Sequence, residues 1–134
     1  SPIPGSDLVV QNSSGSALLT IDSVGTATFS GQLNANQLTA NRLSFGLVQP
    51  ALAISNTELL ATGSAGVATI SAHQTEVTIQ NSLVTDKSLI YITPIGNPNN
   101  LTPFLMRQVA NESFTAGIQS PSDSGVPFNW LIIN

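Results

Sequence analysis

Apolar residues follow two different rhythms along this 134-residue chain, and the change of rhythm divides it. In the first part the apolar runs are short and the corners between them are Gly, Ser or Asn. They read Leu8-Val9-Val10, Ala17-Leu18-Leu19-Thr20-Ile21 and Thr26-Ala27-Thr28-Phe29, with turns predicted at 12–15, 23–25 and Gly31. A five-residue repeat follows: Gln32-Leu33-Asn34-Ala35-Asn36, Gln37-Leu38-Thr39-Ala40-Asn41, Arg42-Leu43-Ser44-Phe45-Gly46. Its spacing fits neither the helical turn nor a flat strand of period two. It fits a stacked β-coil in which each short strand turns Leu33, Leu38 or Leu43 inward and a small polar residue makes the corner. Rungs this short enclose no core in one chain, whereas three chains wound about one axis bury the leucines at its centre.

From residue 67 the segments lengthen and alternate apolar and polar positions. Six strands are predicted, at 67–71, 75–80, 88–93, 104–109, 114–119 and 128–133. The short links at 72–74 and 81–87 suit antiparallel neighbours, and 96–100, Gly-Asn-Pro-Asn-Asn, reads as a polar loop. Between the two parts an irregular connector is expected. Ser55 and Glu58 have the spacing of a capping box, which makes one or two helical turns the alternative there. Residues 1–6, with Pro2, Pro4 and Gly5, read as an unstructured start or an expression remnant. The predicted organisation is all-β: a tail and short intertwined trimeric β-helical stalk over 1–50, a connector over 51–66, and a small antiparallel β-sandwich head over 67–134.

Composition changes this picture in one respect, the need for partners. Charged residues are 7% of the chain against about a quarter ordinarily, while hydrophobic residues are 41%. A monomer of that composition exposes apolar surface that another copy can cover. No stretch reaches the roughly 18 apolar residues of a membrane-spanning helix, and no basic-then-apolar leader opens the chain, so membrane insertion is not expected. The absence of Cys excludes disulfides, thiolate catalysis and zinc–thiolate centres. A small extracellular protein without covalent staples must find burial elsewhere, and oligomerisation supplies it. With a net charge of -4 and only Arg42, Lys87 and Arg107 as cations, nucleic acid and anionic membranes are poor partners.

Gly25-Thr26-Ala27-Thr28-Phe29-Ser30-Gly31 followed by the Leu-x-Ala-Asn pentads resembles the trimeric β-helical shafts of phage tail fibres and related bacterial surface fibres. Gly66-Val67-Ala68-Thr69-Ile70-Ser71-Ala72, Thr75-Glu76-Val77-Thr78-Ile79, Leu89-Ile90-Tyr91-Ile92-Thr93-Pro94, Phe114-Thr115-Ala116-Gly117-Ile118 and the closing run from Pro127 to Asn134 resemble the C-terminal knobs of such fibres. The resemblance implies a homotrimer with its head at the free end, extracellular, on a virion or a bacterial surface. The histidine pairs that hold metal on the axis of some fibres are absent, so no metal or other cofactor is expected.

Candidate chemistry is sparse. His73 is the single imidazole, in an Ala-His-Gln turn; three copies near a threefold axis form a metal site on paper, but a solvated turn is the simpler reading. The seven acids are scattered and no nucleophile-elbow pattern surrounds His73, so no catalysis is expected. Hydroxyl-rich ligands remain, and amides with an aromatic face suit them: Tyr91, Asn97, Asn99, Asn100 and Trp130 are the candidate ligand-binding residues. For Trp130 the alternation with Phe128 and Ile132 favours core or subunit interface. Arg107 reads as an inter-chain hydrogen-bonding or salt-bridge residue. Asn12, Asn100 and Asn111 begin glycosylation sequons, relevant only in a glycosylating host. The expectation is a non-enzymatic homotrimeric attachment protein whose head binds a cell-surface glycan multivalently. The alternative is a purely structural trimerisation and capping module.

Overall fold

The computed structural model describes residues 6–43 and 51–134, with side chains from Leu8. Every regular element among them is a strand. The chain separates into two units, Ser1–Leu43 and Ser44–Asn134.

The first unit is an antiparallel meander of β1 (Ser6–Gln11), β2 (Ala17–Asp22) and β3 (Ala27–Phe29). Its two turns are one device used twice. Asn12 Oδ1 accepts from the amides of Ser14 and Ser16, and ten residues later Asp22 Oδ1 accepts from those of Val24 and Thr26. Both loops close with a glycine at positive φ, Gly15 at 84° and Gly25 at 85°, whose amide returns to the carbonyl of Asn12 or Asp22. An amide or carboxylate oxygen, a small residue and a left-handed glycine are what a tight hairpin requires. The turn positions thus follow the prediction, while the ten-residue repeat behind them escaped it. None of the described residues of this unit is buried. The described residues of the pentads, 32–43, form no strand, and Leu33, Leu38 and Leu43 are exposed. Ser44, Phe45 and Gly46 of the third pentad lie outside the described residues, as do Pro50 and residues 1–5.

The second unit contains two sheets packed face to face. One has five strands in the order β4-β5-β7-β10-β9, the other three in the order β6-β11-β8. The strands are β4 (Leu52–Ser55), β5 (Glu58–Leu60), β6 (Ala65–Ile70), β7 (Glu76–Gln80), β8 (Leu89–Pro94), β9 (Phe104–Val109), β10 (Ser113–Gly117) and β11 (Val126–Ile133). The six strands predicted from residue 67 onward are all present, with ends within two residues of those predicted. Alternation places Val77, Ile79, Phe114 and Ala116 of one sheet against Ile70, Phe128, Trp130 and Ile132 of the other, all buried. Phe114 meets Trp130 edge-on at 5.4 Å between ring centroids.

Two expectations change here. The stretch read as connector is a β4–β5 hairpin, and β5 pairs with β7 in parallel, Glu58 opposite Thr78 and Leu60 opposite Gln80. Ser55 and Glu58 therefore cap no helix. The Ser55 hydroxyl accepts from the amide of Thr57 in the hairpin turn, and Glu58 accepts from Gln80 Nε2 at 2.5 Å. Ser6, read as part of the unstructured start, already pairs with Asp22.

Candidate functional site

Strand registers give the sandwich two distinct ends. Leu60, Gln80 and Ser113 lie in one row, so the 81–88 loop and the 110–112 turn share the end at which the chain enters β4. Asn134 is tied there too, its Nδ2 donating to the Leu83 carbonyl at 2.9 Å. At the other end lie the loops following β6, β8 and β10. The His73 amide donates to the Ser122 carbonyl at 2.7 Å, tying the loop after β6 to the loop after β10, and the Ile95 amide donates to the Pro127 carbonyl at 3.0 Å, which holds the loop after β8 to the start of β11.

A narrow cleft of about 30 Å³ opens between the loop after β8 and the loop after β10, lined by Asn97 and Asn99 on one side and by Ser122 and Ser124 on the other. Asn97 Oδ1 accepts from the Asn99 amide at 2.9 Å, which folds the loop on itself. Asn99 and Asn100 then stand at φ 51° and 66°, the left-handed region that asparagine tolerates better than most residues. Their exposed amides offer donors and acceptors without charge. His73, at φ 64°, sits beside this cluster with Nδ1 3.8 Å from the exposed Asp123 carboxylate. Among the described residues no three of His, Cys, Asp or Glu come together as metal ligands.

The structure does not gather all five candidate ligand residues. Asn97 and Asn99 line the cleft, and Asn100 follows in the same loop. Tyr91 stands on the outward face of β8, 55% exposed, and does not line the cleft. Trp130 must be withdrawn as a ligand platform: it is 3% exposed, held between the sheets with its indole against Phe114. Arg107 pairs with Glu76 of the same chain at 3.4 Å. Ser122 and Ser124 were missed because nothing local in 121–125 marks that loop as the neighbour of 95–99.

A second concavity of about 410 Å³ runs between the β4–β5 hairpin and β6, lined by Ala53, Ser55, Leu59, Val67 and Thr69 among others. Its volume would suit a small ligand. Its polar groups, however, are used locally: the Ser71 hydroxyl donates to the Asn56 carbonyl at 3.0 Å, and the Ser55 hydroxyl serves its own turn.

Family models, curated proteins and solved structures yield no match to this chain.

Proposed function

We propose that this chain is part of a homotrimeric surface-attachment protein, extracellular on a virion or a bacterial cell. Its head would bind a neutral glycan through the loop end carrying Asn97, Asn99, Asn100, Ser122 and Ser124, without cleaving it. The observation that carries the assembly is the first unit: its described residues include no buried one, and Leu8, Val10, Leu18, Phe29, Leu33, Leu38 and Leu43 are exposed. A unit without a core is not stable alone, and copies of itself are the available cover. The attachment role is supported by the candidate loops lying together at one end of the sandwich with the amides of Asn97, Asn99 and Asn100 exposed. A cleft of about 30 Å³ holds no sugar ring, so the ligand lies across the amides as a shallow contact. Affinity per head is on the order of millimolar to tens of micromolar, raised by trivalency.

That shallow cleft also favours a second reading, in which the head only registers and caps the assembly. Light scattering and a glycan array on the purified chain separate the two. The attachment reading expects a trimer that binds neutral glycans and loses binding in Asn99→Ala and Ser122→Ala. A trimer blank on the array and on cells, whose head still drives assembly on another stalk, decides for the capping role. A stable monomer at micromolar concentration rejects both.

A further inference from the structure

The outer faces of the two sheets both expose apolar residues but differ in charge. On the five-stranded sheet the outward face mixes exposed apolar residues, Leu52, Leu60 and Val109, with polar and charged pairs: Glu58 with Gln80, Thr78 with Thr115 at 2.9 Å, and Arg107 with Glu76. At its β9 edge Phe104 and Met106 are exposed by 43 and 45%, with Arg107 beside them. On the three-stranded sheet the outward positions include Val67, Leu89, Tyr91 and Ile133, exposed by 54, 58, 55 and 45%, with Leu131 between Tyr91 and β6. The remaining outward residues of β6, β8 and β11 are Ala, Thr, Pro and Asn. The described part of this unit contains five acids and two cations, and none of them occupies this face.

We infer that the β6-β11-β8 face is covered in the assembled protein by a second copy of this chain, resting on the assembly reading above. Two arguments select that occupant. A surface without charge matches only another surface without charge, since any ion buried against it would go unpaired. The chain's own surface, poor in charge throughout, meets that condition. The second argument is size. Three strands about 4.8 Å apart and about six residues long at 3.3 Å each give a footprint of roughly 14 by 20 Å, far below the ~800 Å² per partner of an interface that stands alone. A foreign protein would be held too weakly there, whereas a copy already joined through the first unit meets the face at high effective concentration. The uncharged concavity beside β6 extends the same surface past Val67 to the β4–β5 hairpin. Tyr91 becomes a subunit contact, which accounts for its distance from the loop cluster.

Because the chain has no Cys, a single introduced thiol reports cleanly on cover. Val67→Cys, Leu89→Cys and, as an exposed reference, Lys87→Cys are made singly in the full chain. Each is labelled with a maleimide while light scattering follows the oligomer. Val67→Cys and Leu89→Cys are expected to react at least about tenfold more slowly than Lys87→Cys when folded, and at equal rates in denaturant. A trimer in which both react as fast as the reference overturns this inference and leaves the assembly standing. A dimer with both protected keeps the inference and overturns the threefold assembly. A monomer, protected or not, overturns both, because no second copy is then present.

Discussion

A single methyl group distinguishes two glycines of the sandwich. At Gly66 an added Cβ would lie 2.6 Å from Cζ2 and 2.9 Å from Cε2 of Trp130, a ring fixed in the core against Phe114. At Gly117 the nearest obstacle is the Met106 thioether, part exposed and able to swing away. Gly66→Ala is expected to cost about 1–3 kcal/mol, lowering Tm by several degrees, and Gly117→Ala less than half of that, both by thermal denaturation. His73 tests another residue-scale reading. With only the exposed Asp123 beside it, and a φ of 64° that Ala adopts no more easily than His, His73→Ala should leave Tm within about 2 °C. Treatment with EDTA should have no effect; a loss of many degrees from either would restore a metal site. For Trp130 alternation pointed to the core, since Phe128, Trp130 and Ile132 share one buried face of β11, and that burial removes it from the ligand set in which the sequence had also placed it. The loop asparagines were legible through turn chemistry. Their serine neighbours were not, since proximity between loops some 25 positions apart in sequence is set by strand order.

Strands declared themselves where alternation ran five residues or more, as in β7 and β11. The β4–β5 hairpin did not, because strands of four and three residues give too few alternations to count and a parallel partner leaves no turn signal between β5 and β7. In the first unit the loops give a sharp element-scale test. Asp22→Ala removes the acceptor for two backbone amides and should destabilise β2–β3 by about 1 kcal/mol or more, whereas Asp22→Asn should be close to neutral, since Asn12 performs the same task one repeat earlier. Hydrogen exchange at Val24 and Thr26 checks it: faster in the alanine variant, unchanged in the asparagine variant.

For the whole molecule the proposed assembly turns on the leucines that are exposed in the single chain. Leu38→Ala changes every copy at once, at about 2–5 kcal/mol per buried side chain, so it should lower Tm far more than Gln37→Ala next to it. The wild-type Tm should also rise with protein concentration, as association requires; equal effects and a concentration-independent Tm would mean that the pentads form no shared core. The strand order of the sandwich was beyond reach of sequence, since no residue pattern specifies which edges meet. The doubled Asx loop carries an evolutionary consequence. Each ten-residue unit reverses the direction of the strand, so gain or loss of one unit reverses the heading of the strand that leaves this meander, whereas two units restore it. Length variation in such a meander is therefore expected in pairs of units.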